Sequence, residues 1–292
     1  MTLFLQLIVN GLIAGSIYAL ASLGYALTFS VNVNNFAHGA LIMSGGYLSY
    51  LFIRYLGVPI WISPILLVPI GFIVGLLIFQ IAIKPFRALS SWSAGIVTTL
   101  ALGIIIENTV LMVHGSDLFS IRDLLPAPKI FHLLAATFNI IQITLIVISL
   151  AIAFLLFGLI RNSGPGRRLR AVADDRLASE AMGINTDAIV LYALILGTTL
   201  ALVSGFLLSL DYDQDASIGT ALLIKAYTAT VIGGAYDLHR VVMAAFALGI
   251  LENLIAGYVS TQFTLAGVFL VLIAFLILKK EGLGTLGLRR EV

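Results

Sequence analysis

Two residue pairs stand where an apolar helix can least hold them: Glu107-Asn108 and Glu252-Asn253. Each lies in a run of Leu, Ile, Ala and Gly suited to a bilayer interior. A charge there costs about 3 kcal/mol on insertion scales unless it is paired or meets water. Such residues can line a polar solute path or gate, or they can hydrogen-bond between helices with the carboxyl neutral or paired. Lys225 precedes a Thr/Ala-rich run that holds Thr228. Its side chain can reach for the membrane interface or touch a solute. Asn32, Asn34, Asn35 and His38 form another polar cluster. An Asn oxygen can cap a helix beginning near Phe36, leaving His38 at the membrane edge. Alternatively, a broken helix there could aim its amide dipoles at a zwitterion's carboxylate. The candidate path residues are therefore Asn35, His38, Glu107, Asn108, Lys225, Thr228, Glu252 and Asn253.

Catalytic and metal chemistry find little support. The histidines at 38, 114, 132 and 239 are scattered without metal-ligand spacing, so no metal site is expected. His-Glu-x-x-His, Gly-x-Ser-x-Gly and a Gly-x4-Gly-Lys-Ser/Thr phosphate loop are all missing from the sequence. Cysteine is absent, which removes disulfides, thiol chemistry and cysteine metal sites. A chain of this kind is not expected to be an enzyme, to bind a cofactor, or to hydrolyse ATP by itself.

The elements that must position these residues are set by composition. The chain is 60% hydrophobic and only 10% charged, with a mean hydropathy of +1.10. A soluble domain carries about a quarter of its residues as charges. We expect an all-α polytopic membrane bundle forming one domain over residues 1–292. The continuously apolar Ile140–Ile160 argues against alternating barrel strands. Candidate spans are Leu3–Thr28, Phe36–Ile53, Pro59–Ile83, Gly95–Val113, Phe138–Ile160, Ala188–Leu210, Leu222–Ala235, Val241–Val259 and Phe263–Leu278, giving eight to ten crossings. Broken or re-entrant helices suit Leu3–Val33, with Gly11, Gly15 and Gly24, and the short Leu222–Ala235. The first residues lack a basic leader pattern and are expected to form a retained helix. A net charge of +2 gives no reason to expect nucleic-acid binding. The segments 101–108 and 247–253 resemble each other, either as a trace of duplication or by chance between two Leu/Ile/Gly-rich helices.

Lys and Arg set the orientation. Arg161, Arg167, Arg168, Arg170 and Arg176 mark a cytoplasmic loop. Lys84 and Arg87 mark a second, and the tail Lys279, Lys280, Arg289 and Arg290 lies on the same side. The segments around Asp117–Lys129 and Asp211–Gly219 fall opposite, with the N-terminus outside. Residues 161–187 read as a loop through Ser163-Gly164-Pro165-Gly166, then one amphipathic helix ending at Gly183. Leu169, Val172 and Ala173 fall on one face, with Leu177, Ala181 and Met182 extending it. Asp174, Asp175, Arg176 and Glu180 line the other. Arginines alone would make a topogenic loop, whereas mixed charge beside an apolar stripe suits docking into a partner's groove.

Three stretches in order along the chain carry a resemblance. GRRLRAVADDRLASEAMGIN, with Gly166, Arg170, Ala171, Asp174, Asp175, Arg176, Ala178, Ala181, Met182, Gly183 and Ile184, resembles the coupling segment of ATP-binding-cassette (ABC) importer permeases of the branched-chain amino acid, LivH type. Asn35-Phe36-Ala37-His38-Gly39 with Met43, Gly45 and Tyr47 is similar to that family's N-F-A-H-G-x-x-x-M-x-G-x-Y. Lys225-Ala226-Tyr227-Thr228-Ala229 with Val231 and Gly233-Gly234 is similar to its K-A-F-T-A-x-V-x-G-G. After Gly-Gly the chain departs: a Gly-Ser-x-x-Gly-Ala turn is replaced by the bulkier Ala235-Tyr236-Asp237-Leu238-His239-Arg240. The resemblance implies transport of branched-chain or other hydrophobic amino acids across a bacterial inner membrane. It implies two cytoplasmic ATPases that use ATP and Mg, a second homologous permease and a periplasmic solute-binding protein. Contact with the ATPases would fall on Gly166, Leu169, Arg170, Ala171, Val172, Asp174, Asp175, Arg176, Glu180, Met182 and Gly183, with Leu169, Val172 and Met182 as the apolar anchor. Urea, short amides or other amino acids remain alternative cargoes. A stand-alone ion-coupled carrier using Glu107 and Glu252 is the alternative of another class.

Overall fold

The computed structural model describes residues 2–87, 92–125, 130–133 and 136–278. Among them run α1 (Thr2–Ser30), α2 (His38–Leu56), α3 (Ser63–Ile78), α4 (Lys84–Arg87), α5 (Trp92–His114), α6 (Ile140–Asn162), α7 (Gly164–Asp174), α8 (Arg176–Ala181), α9 (Thr186–Ser209), α10 (Ile218–Gly233), α11 (Leu238–Tyr258) and α12 (Thr264–Leu278). A π-helical turn at Phe79–Ile83 joins α3 to α4. By length and composition, seven helices can cross a membrane: α1, the α3–α4 rod, α5, α6, α9, α11 and α12. The other two spans expected from the sequence are the more polar α2 and the apolar but short α10; the 16 residues of α10 reach only ~24 Å. Ile130–Leu133 (β1) and Ala136–Asn139 (β2) form an antiparallel hairpin, so Phe138 belongs to a strand and α6 begins at Ile140. Asn139 and Gln142 close a capping box there, each side chain bonded to the other's backbone amide.

The bundle has two distinguishable ends. α6 ends in, and α9 starts from, the arginine-rich α7–α8 elbow. At the far ends of these helices, Gln6 near the start of α1 bonds Thr137 of β2 at 2.7 and 2.9 Å. There too, Phe119 beyond α5 pairs with Gln214 beyond α9. The N-terminal end of α1 therefore lies opposite the elbow. The basic tail 279–292 and Lys129 fall outside the described residues.

α1 is the axis. It is apolar all round, and it is buried from Ile13 to Thr28, as a helix without a polar face must be. It packs on α6, α9, α10 and α11. The α1–α11 crossing is made of small residues. A Cβ on Gly249 would stand 2.5 Å from Gly11 O and from Gly15 N, so the two backbones touch. Gly39 and Gly45 serve the same purpose against Gly219 and Leu202.

The expected break inside Leu3–Val33 is not there: α1 is continuous to Ser30. The glycines within it permit close approach rather than a kink. The irregular backbone instead falls at residues 31–37, with Asn32 at a left-handed φ of 59°. Thr99, two turns into α5, holds this stretch by accepting from Phe36 N at 3.1 Å and donating to Asn34 O at 3.2 Å. Non-helical backbone at membrane depth survives only inside protein, where its polar groups find such partners.

Candidate functional site

The elbow is two helices rather than one. Ser163 caps α7, its Oγ accepting from Gly166 N at 3.0 Å, so Gly164, Pro165 and Gly166 are the first turn of α7 instead of a loop. Pro suits that position because its missing N–H is unpaired there in any helix. The helix stops at Asp175, which turns extended and whose Oδ1 accepts from Ala178 N at 2.9 Å to begin α8. Gly183, at φ +81°, ends the elbow as its type predicts.

The apolar residues of the elbow divide into two groups. Leu169, Val172 and Ala173 are buried, with α7 packed on α6 and α9. This corrects the expectation that Leu169 and Val172 anchor a partner: their face is already taken by this chain. Gly166 lies directly on Ile160, where a Cβ would come within 2.6 Å of its Cα. The exposed apolar side chains are Leu177 at 70% and Met182 at 83%. Around them lie exposed Arg170, Ala171, Asp174, Asp175, Arg176 and Glu180. Arg176 Nε pairs with Glu180 Oε1 at 2.9 Å, and Thr186 of α9 donates to the same oxygen at 2.7 Å. The surface helix α8 is thereby tied to the start of α9. The departing turn at 235–240 lies beside the elbow: the His239 ring meets Phe157 of α6 at a tilt of 49°, their centres 4.2 Å apart. Burial, and then Asp174, push the Tyr236 hydroxyl up.

The intramembrane candidates part company. Lys225 does not reach for the interface. Its Nζ bonds Glu252 Oε1 at 2.7 Å and the Tyr18 hydroxyl at 2.9 Å, and lies 4.8 Å from the centre of the Tyr18 ring. This triad joins α1, α10 and α11, with the charged pair only 12% and 14% exposed. Glu252 is thus paired, the interhelical reading, and the pairing accounts for Lys225 as well. Asn253 Nδ2 donates to Gly249 O one turn back at 3.0 Å. Glu107 and Asn108 sit on the thinly packed α5. Glu107 is half-buried, and Asn108 is exposed, its amide donating to Ile104 O at 2.8 Å. Similar sequence therefore meets two environments.

Asn35, His38 and Thr228 are wholly buried. Asn35 Oδ1 accepts from Ala37 N at 3.2 Å, supporting the entry to α2. His38 Nε2 donates to Ala21 O at 2.8 Å, and the ring meets Tyr25 edge-on at 5.6 Å. His38 is a core residue, not one at the membrane edge, because α2 starts inside the bundle.

One feature escaped the sequence altogether. At the end of the bundle away from the elbow a cavity of about 270 Å3 is lined by Asn10, Ile13, Arg122, Asn139, Gln142, Asp211, Tyr212 and Asn253. Arg122 and Asp211 come from loops with no motif. Only the fold brings them to the triad, of which Glu252 is the chain neighbour of Asn253.

A family model described as "Branched-chain amino acid transport system / permease component" matches residues 7–278. The chain is 29% identical to the high-affinity branched-chain amino acid transport system permease protein LivH of Salmonella typhimurium, over 96% of this chain and 95% of that protein. It is 28% identical to permease protein BraD of Pseudomonas aeruginosa over the same shares. It is 27% identical to a probable LivH of Methanocaldococcus jannaschii, over 88% and 83%. One solved structure, PsaBC from Streptococcus pneumoniae in complex with Fab, covers 94% of this chain at 19% identity with a TM-score of 0.44, too loose to carry an arrangement across. A match spanning nearly all the described helices places the chain in a family: it is a multi-pass membrane protein and belongs to the permease components of branched-chain amino acid transport systems.

Proposed function

We propose that this chain, the permease subunit of an ABC importer, moves branched-chain or other hydrophobic amino acids across the bacterial inner membrane. In this proposal two separate cytoplasmic ATPases power it, a second homologous permease completes the path, and a periplasmic solute-binding protein delivers the cargo. The names of its relatives support the cargo, and the motif resemblance supports the partners. The observation that carries the mechanism is the division of the elbow. Gly166, Leu169 and Val172 fix it to this chain's own helices, while Leu177 and Met182 stay bare among charges. A partner gripping α8 pulls on α9 through the Glu180–Thr186 bond and on α6 through the Gly166–Ile160 contact. Movement of the ATPases thereby becomes tilting of two spanning helices.

Pull-down from membranes tests this. The unaltered chain should bring down an ATPase and a second permease, and the double variant Leu177→Asp/Met182→Asp should insert normally yet lose the ATPase. Undiminished ATPase recovery and uptake in that variant would end the coupling scheme.

A further inference from the structure

Asn35, His38 and Thr228 are wholly buried, whereas a cavity opens at the end of the bundle away from the elbow. Its walls carry unlike charges that are not joined to each other. Asp211 accepts from the Gln142 side chain at 3.2 and 3.3 Å, one neutral donor shared by both oxygens. Among the described residues it forms no ion pair. Burial pushes its carboxyl up, and Gln142 and the charge of Arg122 pull it back only in part. A carboxylate so placed is short of cationic donors and suits an ammonium group. The Arg122 guanidinium is near enough to act on Asp211 without bonding it, and it offers a two-pronged donor for a carboxylate. Carboxamides of Asn10 and Asn253 add further polar groups to the lining. A single water needs about 10–15 Å3 of such space. The space of about 270 Å3 here has room for a small solute with water around it.

We propose that this cavity is an entry subsite for a free α-amino acid, its ammonium on Asp211 and its carboxylate on Arg122. The inference rests on the transport function proposed above and names the part of the solute the permease itself holds. Ile13 and Tyr212 are the main apolar surface, so the subsite reads the two ends that all amino acids share and discriminates little between side chains. Discrimination then belongs elsewhere in the assembly. Weak binding is a requirement, since solute held firmly at the mouth would not pass on.

The test uses the purified permease–ATPase assembly without any solute-binding protein, with radiolabelled L-leucine in equilibrium dialysis. Saturable binding is expected. N-acetyl-leucine and leucinamide should each bind the unaltered assembly roughly tenfold more weakly, the penalty for losing a charged hydrogen-bond partner. Asp211→Asn should abolish the preference for leucine over N-acetyl-leucine, and Arg122→Gln the preference over leucinamide. L-Alanine should bind within a few-fold of leucine. Absence of saturable binding, or equal binding of all three leucine compounds, would mean a cavity that holds water only and would overturn the subsite. ATP-driven leucine uptake by the complete assembly, measured in parallel, separates the two claims. If uptake persists while dialysis fails, only the subsite falls. If leucine is not taken up but amino acids bind with both end-group preferences, the cargo assignment falls and the subsite stands.

Discussion

Replacing Lys225 with Met should cost more stability than replacing Lys225 and Glu252 together. The pair spans 2.7 Å with both side chains under 15% exposed, so neither water nor salt screens it much. Removing one partner from such a pair costs about 3–5 kcal/mol, because the other is left charged and buried. Insertion scales give a similar figure, about 3 kcal/mol for one bare charge in the bilayer. Lys225→Met is the harsher single change. Glu252 would lose the pairing with Lys225, while its second oxygen, Oε2, lacks a hydrogen bond among the described residues. Glu252→Leu leaves Lys225 with the Tyr18 hydroxyl and ring, so its loss should fall toward the low end. In Lys225→Met/Glu252→Leu no charge remains, and apolar replacement of a buried pair is near neutral. The double variant should sit within about 1 kcal/mol of the parent, and with single losses of about 3 kcal/mol or more each the coupling is at least about 5 kcal/mol. Unfolding by SDS in mixed micelles, followed by helical circular dichroism, measures all four proteins. Single losses that simply add, to within about 0.5 kcal/mol, would refute a buried and coupled pair.

Other perturbations reach different parts of the account. Leu169→Asp should lower the thermal midpoint sharply, by about 3–5 kcal/mol of stability, whereas Leu177→Asp should leave the midpoint within about 0.5 kcal/mol while ATPase recovery drops. Thermal melts and pull-downs of the same two variants check this. Gly249→Ala should loosen the α1–α11 crossing at a cost of about 1–3 kcal/mol, read as a lowered melting midpoint, since its Cβ would meet Gly11 and Gly15 backbone at 2.5–2.6 Å. The Asp211 carboxyl is held above its ordinary value of 3.8, chiefly by burial. The fold therefore binds its proton more tightly than the unfolded chain does. Its contribution to stability should fall as pH rises from about 3.8 through the folded value and then level off. Asp211→Asn should remove that slope from a pH series of melts.

Much of the architecture can be read from the chain because a bilayer leaves it few choices. Runs of about 20 apolar residues become helices. The nine expected segments therefore appear as helices close to where hydropathy puts them, and seven of them are, among the described residues, long and apolar enough to cross a membrane. What hydropathy cannot say is which apolar face meets which. Leu169 and Val172 make the same pattern whether they meet a partner or their own bundle, and only the packing of α7 on α6 and α9 decides. Lys225 and Glu252 lie 27 residues apart on different helices, so neither sequence neighbourhood announces the other. Gly11 and Gly15 could have meant a kink or a close crossing, and the small residue opposite them, Gly249, selects the crossing. The break at residues 31–37 depends on Thr99, 63 residues away from Phe36. Asp211 and Arg122 sit in loops of ordinary composition, and their meeting is a consequence of tertiary structure alone.

The most direct measurement is solute flux into sealed proteoliposomes. Vesicles carrying this chain with its second permease and ATPases, ATP inside and loaded binding protein outside, should accumulate labelled leucine, and should stop when the ATPases are omitted or the ATP is replaced by a non-hydrolysable analogue. Accumulation by this chain alone, driven by a proton gradient, would contradict the account.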